Sequence, residues 1–511
     1  MSYGRWIKVI NGTKPECDVI EVECKSFKNN EVEIFYQYLH AQIYRNTTKI
    51  PLPSLPKPPE KYDVHIIILD SVGRTQFIRS MPKTLQILRG EYEAVPFRHL
   101  NKIGLNSRPN GNALLLGKAL KPIPKSPFSR GYPSDFPNDN CKTYLDNEQF
   151  IGFRYQDDGY VTMMAEDWSR GVFTYPNCHG FQKTPMDHYM KPFQRICKRS
   201  KTINKIIHLD SCREPHHDIM DYLKNFVKAY PDKPKFSLSW MSRLTHDQQN
   251  ALSSSDDYFY RFFKYNQKDF ENSFVFFMGD HGLRYGKVRE KLIGEIEDNN
   301  PFLYISAPKL LRNNPKLMLQ LKDNSKELIT HYDIYATLNE IAQPKNPRIV
   351  EPLLHGASLF HPLPYPRTCD SLRIPFEYCI CRAQKTLLPK NNTIGIAAAK
   401  IMIDQINFEL STSNETSNIC SKLSLDESAE IKVEDYGGEQ ALRINKITFS
   451  TIPGNALFWG VISYDPSNEN IEIISSKFPR LNSYGRQAKC AKKSSLASYC
   501  YCFNESVLKF L

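Results

Sequence analysis

Five continuous runs of apolar, mostly β-branched or aromatic residues punctuate the first three-fifths of the chain: Val64–Leu69, Val161–Ala165, Phe236–Trp240, Phe274–Met278 and Phe302–Ser306. Uninterrupted hydrophobicity, rather than alternation, predicts strands buried on both faces of a parallel sheet. Helix-period stretches such as Ile219–Tyr230 and Asp256–Asn266 lie between the runs. Strands alternating with helices predict an α/β fold built on a doubly wound, mostly parallel sheet. Beyond Pro362-Leu363-Pro364 the pattern changes to one helix-like stretch, Ile394–Leu410, followed by alternating segments at Ala429–Val433, Leu442–Ser450, Ala456–Tyr464 and Asn470–Ile474. One helix and several antiparallel strands predict a smaller α+β module. Residues 1–60 read as an N-terminal extension closed by the stiff linker Pro51–Pro59, 61–364 as the main domain, and 365–511 as a cysteine-rich α+β domain.

At 511 residues the chain exceeds what one hydrophobic core serves, which agrees with that division. The formal charge of +12 is scattered as singles and doublets such as Lys198-Arg199, with no basic block, so a nucleic-acid arm is not expected. A mild positive field suits an anionic substrate, although ordinary solubility charge accounts for it equally. Thirteen cysteines without a CxxC pair point to a disulfide framework rather than a zinc ribbon, with at least one thiol left over. Asn11, Asn46, Asn391, Asn414 and Asn504 each open an N-x-Ser/Thr acceptor triplet, a weak sign of glycosylation. Together these predict an extracellular or secretory-lumen glycoprotein. Met1–Trp6 lacks an apolar leader, so a preceding segment is expected, and no apolar run is long enough to cross a membrane.

An α/β sheet of this kind collects ligands at the carboxyl ends of its strands. Asp70-Ser71, Glu166-Asp167, Thr245-His246-Asp247 and Asp280-His281 all follow strand runs. The pair Asp280-His281, framed by Gly279 and Gly282, joins a hard oxygen ligand to an imidazole, and the glycines are expected to let the backbone turn tightly around one ion. Asp70 stands in the equivalent position after the first strand and can share that ion, or serve as a helix N-cap. Ser107 precedes a Pro-containing turn that opens onto the apolar stretch Ala113–Leu116. A helix N-terminus there favours an incoming phosphate or sulfate, and a metal-activated serine is a nucleophile. Taken alone, Ser-x-Pro reads as a common helix cap rather than a nucleophile.

In order along the chain, these pieces resemble the alkaline phosphatase and sulfatase superfamily. Ser107–Lys118 resembles the sulfatase signature, Met278–Gly282 its Asp-His-Gly metal motif, and Asp158–Thr162 its Gly-Tyr-x-Thr strand. Pro301–Ile305, Tyr332–Leu338 and His355–Leu359 are similar to three further motifs, so the match spans roughly residues 62–362. Asn106–Asn110, Glu166-Asp167-Trp168 and His246-Asp247 look most like an uncharacterised, nematode-expanded animal branch. The resemblance implies an alkaline phosphatase-like fold and a divalent-metal site. Asp70, Asp280 and His281 would hold zinc or manganese, with calcium also compatible, in a one- or two-ion centre that His355 would help complete. Ser107 and His246 would be catalytic.

The departures from the family pattern shape the functional reading. Gly111 stands where sulfatases carry an arginine that positions formylglycine, Ser71 replaces a paired acid, and Ser242 replaces the aspartate of the two-metal enzymes. The expectation is therefore a metal-dependent hydrolase or transferase of phosphate esters that uses Ser107. The alternatives are a catalytically silent binding protein, which Ser107→Ala in an ester assay separates, and a true sulfatase, which formylglycine at position 107 would reveal. Lys118, Arg74 and Arg284 are candidates to neutralise the anion.

Overall fold

The five apolar runs become strands of one seven-stranded sheet. The computed structural model describes residues 4–503 other than 11, 29–30, 46–60, 137–139, 248–249, 382–384, 391, 438–441 and 476. The proline-rich linker and the acceptors Asn11, Asn46, Asn391 and Asn504 fall outside the described residues. In chain order the strands are β1 Val19–Lys28, β2 Glu31–Ala41, β3 Asp63–Leu69, β4 Val95–Phe97, β5 His99–Asn101, β6 Val161–Glu166, β7 His188–Tyr189, β8 Lys235–Met241, β9 Ser273–Gly279, β10 Leu303–Ser306 and β11 Leu328–Thr330. The main sheet runs β4-β10-β9-β3-β8-β6-β7, and β5 pairs separately with β11. From β9 through β7 every pairing is parallel, whereas β10 runs antiparallel to both β9 and β4. An apolar run fixes burial on two faces but not direction, so the reversal of β10 is not visible in the pattern.

Alternate residues of each strand feed two separate cores. Ile67 and Leu69 of β3, Met163 of β6 and Phe277 of β9 meet the helices Pro215–Ala229 and Asp256–Tyr265 through Leu223, Phe226, Phe259 and Phe263. Val64, Ile66 and Ile68 face the other way with Leu238 and Phe276, under the helices Ser107–Leu116 and His331–Ile341. Each such side chain contributes roughly 1.5–3 kcal/mol on burial, so the double winding is strongly specified. The architecture is the expected α/β one with a mostly parallel sheet.

The β1–β2 hairpin is tied to this body. Leu39 enters the first core, and Asp18 Oδ2 takes hydrogen bonds from Tyr222 (2.7 Å) and from the His188 ring (2.7 Å). The second lobe holds β12 Thr386–Leu387, β13 Ser424–Leu425, β14 Lys432–Asp435, β15 Arg443–Ile452, β16 Ala456–Asp465 and β17 Asn470–Ile473, all antiparallel, packed on the helix Thr393–Thr412. Disulfides Cys420–Cys500 and Cys490–Cys502 staple this lobe, Cys369–Cys379 lies before it, and Cys141–Cys178 lies in the main domain. Cys17, Cys24, Cys197, Cys212 and Cys381 are free thiols. No helix among the described residues is long and apolar enough to cross a membrane.

Candidate metal centre and nucleophile

Sheet register builds the centre. Leu69 of β3 lies opposite Gly279 of β9, so the next residue of each strand, Asp70 and Asp280, emerges side by side at the carboxyl edge. His281 follows, and ligand atoms of Asp70, Asp280 and His281 all lie within 4.8 Å of one another in a fully buried cluster. The flanking glycines answer to crowding, not to unusual backbone angles. A Cβ on Gly279 would lie 2.4 Å from the carbonyl oxygen of Val72, and one on Gly282 would lie 1.9 Å from that of Glu297.

Each ligand is held by neighbours. Asp280 Oδ1 accepts the backbone N–H groups of Ser71 (3.1 Å) and His281 (2.8 Å). Asp70 accepts the hydroxyls of Ser71 at 2.9 Å and of Ser242, and its carbonyl accepts the hydroxyl of Thr245. His281 Nδ1 lies 2.7 Å from the Gly282 carbonyl, which makes Nδ1 the protonated nitrogen and turns the Nε2 lone pair toward the carboxylates. Nε2 lies 3.6 Å from Asp70 Oδ1 and 3.5 Å from Asp280 Oδ2.

The electrostatics call for a cation. Burial pushes Asp70 upward, but His246, His281 and the two serine hydroxyls more than offset it and hold Asp70 below the usual carboxylate range. Burial, and then the adjacent Asp70, push Asp280 well above that range. Burial drives His281 well below the ordinary imidazole value, so it stays neutral. Among the described residues, Asp280 Oδ2 is buried and has no hydrogen-bond partner. Two carboxylates, a neutral imidazole and an orphan oxygen fit a divalent ion with mixed oxygen and nitrogen ligands.

Ser107 opens the ten-residue helix Ser107–Leu116, whose first-turn N–H groups have no partner within the helix. Its Oγ lies 3.2 Å from Asp70 Oδ2 and 3.5 Å from His281 Nε2. Asn110 fixes the approach to it and was not singled out from the sequence. This buried amide accepts the N–H groups of Ile103 and Gly104 and donates to the carbonyls of Gly104 and Asn106. A polar side chain expected on the inner face of an apolar helix was the available signal.

His246 stands across the cleft. Its Nδ1 lies 2.7 Å from Asp247 Oδ1, its Nε2 lies 3.2 Å from Arg284 Nη2, and Tyr285 donates to both the His246 carbonyl and Asp247. Asp167 accepts the N–H groups of Ser242 (2.7 Å) and Arg243 (3.0 Å), which anchors the loop that carries His246. Of the expected anion-neutralising residues, Arg284 reaches this cleft, with a buried Nε that has no partner. Lys118 is instead paired with Glu148.

His355 is not brought to the cluster. Its Nε2 lies 2.7 Å from Asp135 and its ring packs edge-on to Tyr332. Asp256 is committed to the N–H groups of Lys83 and Thr84. Among the described residues, the only other metal-type grouping is Cys420, Cys490 and Cys500, all of them in disulfides. Gly111 is sealed under Val172 and Trp240, and a Cβ there would lie 2.4 Å from Val172 Cγ2.

Fold and site together define an α/β protein with a buried carboxylate–imidazole cluster facing a helix-borne serine. The family model described as a protein of unknown function (DUF229) matches residues 7–429, and the chain belongs to that family. No protein with a curated description matches its sequence. Solved structures with distant similarity include an alkaline phosphatase superfamily protein from Vibrio parahaemolyticus, with 12% identity, 86% of each chain covered and a TM-score of 0.36. The lipoteichoic acid synthase LtaP from Listeria monocytogenes shows 12% identity over 88% of this chain and 91% of that one, with a TM-score of 0.38. The PsFucS1 sulfatase from Pseudoalteromonas sp. shows 11% identity over 80% and 84%, with a TM-score of 0.37.

Proposed function

We propose that the chain is a metal-dependent hydrolase or transferase of phosphate esters with Ser107 as the nucleophile. The observation that carries the reading is the Ser107 hydroxyl at 3.2 Å from Asp70 and 3.5 Å from His281, on the first turn of a helix. Asp70, Asp280 and His281 would hold one divalent ion, which supplies Lewis-acid polarisation of the ester and acidifies the serine hydroxyl.

The protein's own groups do the rest. Ser107 Oγ forms the new bond to phosphorus while the bond from phosphorus to the leaving oxygen breaks, and the serine proton passes toward Asp70 Oδ2. The first-turn N–H groups and the Arg284 guanidinium take up the charge on the non-bridging oxygens. His246, whose Nδ1–H donates to Asp247 and whose Nε2 accepts from Arg284, holds that guanidinium in place, and the departing alkoxide takes its proton from water. Water, or an acceptor hydroxyl, then releases the phosphoryl group from Ser107.

Sulfatase chemistry through formylglycine is less well supported, because the packing around Gly111 leaves no room for the arginine of that signature. The disulfides favour an oxidising compartment, extracellular or lumenal. The test is hydrolysis of 4-nitrophenyl phosphate and 4-nitrophenyl sulfate by the full chain with zinc or manganese. Phosphate turnover that Ser107→Ala abolishes supports the reading. No turnover of either ester with any divalent ion leaves a binding protein in its place.

A further inference from the structure

From the two residues that flank Ser107, Asn106 and Arg108, a cleft of about 190 Å³ runs under the second lobe. Its walls carry Arg284 and Arg108 near the nucleophile, and Lys121, Lys477 and Arg480 farther along. The opposing acids contribute little charge. Asp298 is already bracketed by Lys102 and Arg289, and burial raises Glu377 to about 7. Lys477 has a carboxylate of its own, Glu409. Lys121 and Arg480 form no direct ion pair among the described residues, although Glu409 and Glu377 lie near enough to Lys121 to act on its charge. Arg480 is held by the neutral oxygens of Asn482, Ser498 and Gln487, so its guanidinium is oriented while its charge stays uncompensated. Partial loss of hydration, and then Lys477 and Arg108, lower the Lys121 ammonium, while Glu409 and Glu377 offset part of that, and the side chain stays open to solvent. Tyr175, Tyr285 and Tyr484 line the path between the two basic ends, a surface suited to a ring with hydroxyl groups.

We propose that this far end, between Lys121, Lys477 and Arg480, is a second anion subsite, and that the preferred substrate is a sugar-like phosphate ester bearing a second oxyanion group. The inference rests on the ester-cleaving reading only in taking Ser107 as the near end of the cleft. One ligand then bridges the two lobes, its scissile phosphate at Ser107 and its other anion on Lys121, Lys477 and Arg480.

The experiment measures equilibrium binding of glucose 1,6-bisphosphate and of glucose 1-phosphate to the zinc-loaded, full-length Ser107→Ala protein. The bisphosphate is expected to bind about tenfold or more tightly. Lys121→Ala should erase most of that preference, and Lys121→Arg should keep it. Equal affinities, no measurable binding of either sugar, or a preference that survives Lys121→Ala overturns the subsite. Turnover by the unmutated protein separates the two readings. Hydrolysis of 4-nitrophenyl phosphate without a bisphosphate preference removes the subsite alone. A bisphosphate preference without hydrolysis of any ester removes the catalytic reading and leaves the subsite standing.

Discussion

Asn110 donates from its side-chain amide to the carbonyl of Asn106 at 2.9 Å, and so grips the residue immediately before Ser107. The same amide satisfies the N–H groups of Ile103 and Gly104. Asn110→Ala should destabilise the fold by about 2–4 kcal/mol, because two buried donors lose their acceptor at once. Urea unfolding checks that figure. Turnover measured well below the new unfolding midpoint should fall at least about tenfold in kcat with little change in KM, because the nucleophile loses its alignment.

The orphan Asp280 Oδ2 gives the metal proposal a readout independent of catalysis. A divalent ion that binds only the native state stabilises it by RT ln(1 + c/Kd), with c the free ion concentration, so the melting temperature climbs with the logarithm of the ion concentration. Zinc or manganese should raise it in the unmutated chain, and Asp280→Asn should remove the response. A melting temperature unmoved by either ion, followed by differential scanning calorimetry, contradicts the centre.

Glu434 makes the second lobe acid-labile. Burial raises this carboxyl, but Lys446, Lys385 and Lys432 outweigh burial and depress it to about 2. A depressed carboxyl contributes stability that is fully present above its unfolded value, near 4.5, and lost as pH falls through about 2. The contribution is of order 3 kcal/mol. Glu434→Gln should therefore flatten the unmutated chain's loss of stability between roughly pH 4.5 and 2. Denaturant titrations across that window test it, and a parallel decline in the two proteins contradicts it.

Gly111 bears on the choice between phosphate and sulfate. Gly111→Ala pushes a methyl group into Val172 and Trp240 and should cost about 1–3 kcal/mol, and Gly111→Arg should not fold. Mass spectrometry of protein made in a host with the formylglycine-generating enzyme should find unmodified serine at position 107.

Much of this was legible because burial leaves a strong mark on composition. The β3 run could sit only between two cores, and the Asp70–Asp280 pairing follows once β3 and β9 are known to be adjacent and in register. The helix Thr393–Thr412 and the strands after it showed their own periods. What escaped were facts of long-range choice. His355 looked like a ligand until its partner, Asp135, was seen 220 residues away in sequence. Asp167 stands at a strand end like the cluster aspartates, but its carboxylate is spent on the Ser242 and Arg243 N–H groups. The glycines around Asp280-His281 suggested backbone turning, whereas the reason is a close carbonyl, which no local pattern encodes.

The segment that follows His281 leans on the second lobe. Glu295 is bound by Lys446 and Lys385, and the indole of Trp459 is flanked by Arg289 and Lys446. The same lobe supplies Lys477, Arg480 and Tyr484 to the cleft, yet it contributes no ligand to the buried cluster. If the proposed nucleophile and the proposed subsite both hold, reactivity and choice of substrate are written on separate stretches of chain. Relatives could diverge in what they accept by rewriting residues 477–499, with Asp70, Ser107, Asp280 and His281 left untouched.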